Sequence, residues 1–172
     1  AAYPRHEHSR AIGIRLGEAL YKSRQFESAI EEFKRVLPVT KGEDENKAVY
    51  MVAESYNVLG DYDNASTWYL RYQRQMDDAG LDSRAADYGL GWIYMKQQIY
   101  HWAVDAFAEA ASGDDELAQK ATYYKAVSEK LSGRYVDALT TFEQFFERFE
   151  EGIWAERVAY EWAVTAFEMG DY

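Results

Sequence analysis

The stretch LGEALYKSRQFESAIEEF, residues 16–33, decides the reading, because its features return along the chain in fixed phase. A Gly or polar residue, any residue, an aromatic, two more residues and then Ala occur as RQFESA ending at Ala29, GDYDNA at Ala65, QIYHWA at Ala103 and GRYVDA at Ala138. These alanines are spaced by 36, 38 and 35 residues, and GDY at 170–172 opens the phrase again. Four residues after each Ala comes a ring: Phe33, Tyr69, Phe107 and Phe142. Twelve before it stands a small residue, Gly17, Ala53, Gly91 or Ala126, with Ala163 in the matching place near the end. Three before it is Phe26, Tyr62, Tyr100 or Tyr135, and Tyr172 holds that place in the last unit. A period of this size marks a repeated supersecondary unit, and small residues set against rings mark two helices in close approach.

Each unit therefore reads as a helix A, a turn and a helix B. The A helices are predicted near 9–23, 45–59, 83–97, 116–132 and 153–169, and the B helices near 27–37, 63–77, 100–111 and 135–149. Pro4 and Pro38 fall outside all of them, as the missing amide hydrogen of proline requires. The links KGEDEN (41–46), DDAGLD (77–82) and SGDDE (112–116) are polar, and their acids suit the start of the helix that follows.

The segments LGEALYKSRQFESAIEEF, AESYNVLGDYDNASTWY and LGWIYMKQQIYHWAVDAF resemble the tetratricopeptide repeat family. The resemblance covers nearly all of the chain, as four full units plus the first helix of a fifth. It implies an all-α, right-handed superhelical solenoid of antiparallel helix pairs. That solenoid would form one domain over 1–172, with repeats at about 9–40, 45–80, 83–114, 116–150 and an incomplete 153–172. Two departures are Lys125 and Glu129, which stand where the family prefers apolar residues. The segment FFERFEEGIWAERVAYEWAVTAFEMGDY (145–172) is similar to repeats of bacterial envelope proteins of the BamD and TolA-binding periplasmic type. On that resemblance a bacterial periplasm is favoured over the cytoplasm.

Composition narrows the function. Thirty acids against 19 Lys and Arg give a formal net charge of -11, which argues against a surface that tracks phosphates. Absent cysteine removes disulfides, thiolate metal sites and cysteine nucleophiles. No apolar run reaches the roughly 18–20 residues of a membrane-spanning helix. His6 and His8 read as a solvated end, and His101 as a packing or capping residue beside Trp102. The consecutive acids Glu43, Asp44, Glu45 and Asp114, Asp115, Glu116 would splay around a helix instead of converging on a metal or a substrate. No catalytic residue, metal or cofactor is expected.

Function is sought on the A helices, which by resemblance to the family line a concave groove. Fifteen residues before each phase position stand Ile14, Tyr50, Tyr88, Tyr123 and Tyr160, with Trp92 one turn beyond Tyr88. Lys47, Lys120 and Arg157 share a column three residues earlier. Tyrosine and tryptophan give large contact area and a polar handle, as binding anchors do. The expected function is a protein-interaction scaffold that takes a peptide or protein segment in this groove. The alternative is a structural or assembly module of a larger complex, such as one of a bacterial envelope, acting through its ends and convex face. The Lys and Asn clamp of co-chaperone repeats is replaced by Ile14 and Glu18, so binding of a chaperone tail is not expected. The phrase breaks off at GDY, which points to an excised piece of a longer protein. Helix 153–169, with Trp162, Ala163, Ala166 and Phe167, is expected to self-associate.

Overall fold

The computed structural model describes the backbone of residues 4–149 and 153–170, and the side chains of 10–149 and 154–170. The imidazoles of His6 and His8 and the ring of Tyr172 lie outside them. Among the described residues all regular structure is helical: α1 (Pro4–Lys22), α2 (Phe26–Val36), a 3-10 turn (Leu37–Val39), α3 (Glu43–Leu59), α4 (Tyr62–Asp78), α5 (Arg84–Lys96), α6 (Tyr100–Ala110), α7 (Glu116–Leu131), α8 (Tyr135–Arg148) and α9 (Ile153–Met169).

Two ends differ from the sequence reading. Helix α1 starts five residues early, with Pro4 as its first residue, a position whose amide hydrogen has no helical acceptor, so proline is tolerated there. Helix α3 starts at Glu43, so Glu43, Asp44 and Glu45 form its first turn instead of a link, where acids oppose the positive end of the helix dipole.

The recurring phrase is a turn with one geometry. Its first residue is left-handed in all four complete copies: Arg24 (φ 60°), Gly60 (φ 77°), Gln98 (φ 61°) and Gly133 (φ 81°). The next residue donates its amide back across the end of helix A, Gln25 to Leu20 at 2.9 Å, Asp61 to Tyr56 at 3.0 Å, Ile99 to Tyr94 at 2.8 Å and Arg134 to Glu129 at 2.9 Å. These bonds close helix A on a left-handed residue. The carbonyl of the same residue then accepts from the phase alanine, opening helix B, as in Ala29 to Gln25 at 2.9 Å and Ala138 to Arg134 at 3.0 Å. One residue thus ends one helix and starts the next.

The phase positions are the core. Ala29, Ala65, Ala103 and Ala138 are fully buried, as are Phe33, Tyr69, Phe107 and Phe142. A Cβ added to Gly17 would lie 2.7 Å from the Phe33 ring, and one on Gly91 would lie 2.7 Å from the Phe107 ring. The small residue of helix A is therefore the seat of the helix B ring four places after the alanine.

The chain divides into two compact units, Ala1–Ala86 and Asp87–Tyr172, with the boundary inside α5. In the N-terminal unit α1, α2, α3 and α4 pack in succession around Ile14, Ala29, Ile30, Phe33, Val36, Ala48 and Val52. In the C-terminal unit α6, α7, α8 and α9 pack in succession, with Ala118, Ala126, Ala138, Phe142, Phe145, Phe149 and Val158 at the centre of the last three.

Lys125 and Glu129 prove to be a matched set with Thr141 across α7 and α8. Glu129, only 4% exposed, pairs with Lys125 at 2.9 Å and accepts from the Thr141 hydroxyl at 2.7 Å. Lys125 donates to that same hydroxyl oxygen at 2.7 Å. Each buried polar group has a partner, which a helix interface demands.

Candidate partner-binding face

The aromatic column of the A helices is built differently in the two units. In the N-terminal unit Tyr50 packs its ring 6.0 Å from Tyr69 and 5.2 Å from Tyr72. The Tyr69 hydroxyl donates to Glu54, Tyr50 bonds the same carboxylate, and Asn57 donates to the Tyr69 oxygen at 3.4 Å. Burial, followed by the negative charge of Glu54, pushes both phenols far above their usual range. Lys47 is engaged in an ion pair with Glu18 of α1. Tyr50 is therefore mainly a packing ring with a satisfied hydroxyl.

In the C-terminal unit the column widens into a band. Tyr88 and Trp92 of α5 lie 6.2 Å and 4.5 Å from Tyr124 of α7. Tyr123 lies 4.8 Å from Tyr124 and 5.4 Å from Trp154 of α9, and Tyr124 lies 6.0 Å from Trp154. Phe107 of α6 supports the band from beneath, 5.7 Å from Tyr88 and 5.8 Å from Tyr124. The five rings of α5, α7 and α9 are all half-buried, so each offers part of its surface.

Charged groups border the band. Arg157 sits 5.0 Å over the Trp154 ring, and Lys120 pairs with Glu116 at 2.7 Å. Burial raises the Tyr124 phenol, while Arg157 and Lys120 pull it down. For Tyr123, burial and then Glu161 raise the phenol, against Arg157. Beyond them Tyr160 is 68% exposed. It lines, with Tyr123, Glu156, Arg157 and Glu161, a hollow of about 340 Å³.

Of the residues singled out from sequence, Tyr88, Trp92, Tyr123, Lys120, Arg157 and Tyr160 share the C-terminal unit, while Tyr50 and Lys47 belong to the other. The sequence reading missed Tyr124 and Trp154. Neither lies on the fifteen-residue column, and only the side-by-side packing of α5, α7 and α9 brings them to it. His101 is exposed, 5.3 Å from the Trp102 ring. Among the described residues no group of three His, Asp or Glu is placed to hold a metal ion, and no helix is long and apolar enough to cross a membrane.

Residues 14–80 match the family model described as Tetratricopeptide repeat. Within those residues the chain carries tetratricopeptide repeats. Solved structures of the same fold extend the likeness beyond those residues. One titled MamA RS-1 ArsTM double mutant aligns at 15% identity with a TM-score of 0.76, covering 95% of this chain and 86% of that one. MamA from Desulfovibrio magneticus RS-1, residue 41 to the end, aligns at 14% identity with a TM-score of 0.74, covering 95% and 86%. The nearly identical TPR-like repeats of a Podosopora anserina putative kinesin light chain align at 14% identity with a TM-score of 0.74, covering 99% and 90%. No protein of curated function matches the sequence.

Proposed function

We propose that this chain is a scaffold that holds a peptide or protein segment on the A-helix face of its C-terminal unit, without chemistry of its own. The carrying observation is the band of Tyr88, Trp92, Tyr123, Tyr124 and Trp154, half-buried across three successive A helices and edged by Lys120, Arg157 and the exposed Tyr160. Rigid rings that are already packed lose little entropy on binding, and phenol and indole groups at their rims offer directional bonds. The two bases draw an acidic or carboxylate-bearing group to the edge of an otherwise acidic molecule.

Affinity capture from the native extract tests this with a triple variant, Tyr123→Phe, Arg157→Ala and Tyr160→Ala, which leaves the buried core residues unchanged. Loss of a captured partner at unchanged oligomeric mass supports the face. An altered mass with capture intact supports the second reading, an assembly module of a larger complex such as one of a bacterial envelope. That reading is favoured by α9, where Phe167 is 64% and Trp162 37% exposed, and it carries self-association through 153–169 as its consequence.

A further inference from the structure

Away from the aromatic band, Tyr94 of α5 and Trp102, Asp105, Ala106 and Glu109 of α6 line a shallow, open hollow of about 320 Å³. The two rings meet edge to face, with centroids 5.4 Å apart. Asp105 and Glu109 are four residues apart on α6 and so share a side of that helix.

We propose that this hollow is a binding site for an arginine side chain of a basic partner segment. Three observations carry the proposal. First, Trp68, Trp92 and Trp154 each have a cation of this chain over their rings: Lys34 and Arg71 at 5.2 and 5.0 Å, Lys96 at 5.8 Å, and Arg157 at 5.0 Å. Trp102, 51% exposed, has none among the described residues, as is also true of Trp162 of α9, and its ring contacts are Tyr94 and His101. Second, neither Asp105 nor Glu109 has an ion-pair partner among the described residues, so both carboxylates beside the Trp102 ring are open to a ligand cation.

Third, the repeat does not need these residues. At the place of Trp102 the other units carry Ser28, Asn64 and Asp137, and at the place of Glu109 they carry Arg35, Arg71 and Gln144. In this one unit a surface polar residue is a tryptophan, and an arginine position is an acid. A guanidinium stacks on an aromatic face and presents a fork of donors to carboxylates, so it fits both halves of the hollow. The overall charge of -11 draws a basic segment toward it.

The test is calorimetric titration of the 172-residue chain with tri-arginine amide at about 0.15 M salt, where long-range attraction is largely screened. Trp102→Ala and the pair Asp105→Asn with Glu109→Gln are each expected to weaken binding at least fivefold. The pair Glu143→Gln with Glu147→Gln removes the same charge at the same spacing from the exposed side of α8 and is expected to change it less than twofold. In spectra of the wild type the Trp102 indole resonance is expected to shift on titration. Equal loss in both charge pairs, an unmoved Trp102 resonance, or no binding by the wild type overturns the proposal.

Discussion

Changing Gly91 to Ala would place a methyl group 2.7 Å from the Phe107 ring. Alanine favours an exposed helix interior over glycine by up to about 1 kcal/mol, but here overpacking wins, and a loss of about 1–3 kcal/mol is expected in urea unfolding. Adding Phe107→Leu should restore part of it. At the turns the sign reverses. Gln98 is left-handed with a side chain, so Gln98→Gly is expected to stabilise by about 0.5–1 kcal/mol, and Arg24→Gly likewise.

Tyr50 and Tyr69 set a pH limit. Their pKa values are raised by burial first and by Glu54 second. Above the usual phenol range, near pH 10, an unfolded chain releases protons that the folded chain retains. The folded state then binds more protons, and stability falls as pH rises through that region. The urea midpoint should hold up to about pH 9 and drop beyond pH 10. Tyr69→Phe should show a shallower drop, at the cost of about 1 kcal/mol at neutral pH from the lost bond to Glu54.

At the scale of helices, the phrase and the residues in phase with it locate nearly every element, because both follow from contacts between neighbours in sequence. The alanine, the ring four later and the small residue twelve earlier lie in one interface, so their spacing reports it directly. Lys125 and Glu129 were legible only as departures, since Thr141, which completes the set, lies on the next helix at a place where an uncharged residue attracts no notice. Glu129→Ala would strand the Lys125 ammonium and the Thr141 hydroxyl. Because the Lys125 side chain is 24% exposed, about 1–3 kcal/mol is expected instead of the full cost of a deeply buried charge. Replacing all three with Met, Leu and Val should come closer to neutral in thermal unfolding.

The site is less legible than the fold, for the same reason. Tyr88 and Tyr123 stand on a periodic column, but Tyr124 and Trp154 join them only through packing of helices about 30 residues apart. Whether a ring such as Tyr50 serves a partner or its own core depends on its neighbours, here Tyr69, Tyr72 and Glu54.

For the whole molecule, repeat stacks couple mainly through nearest neighbours. Gly17→Ala should therefore speed amide exchange chiefly within 4–86, and Gly91→Ala chiefly in the second unit. The central claim, that the A-helix face of that unit holds a protein partner, is tested most directly by site-specific photocrosslinking. A benzophenone amino acid replaces Tyr160, and in a second sample it replaces Glu143, which is exposed on α8. In native extract a discrete adduct is expected from position 160 and none from 143. Equal labelling at both positions, or no adduct at 160, contradicts the claim.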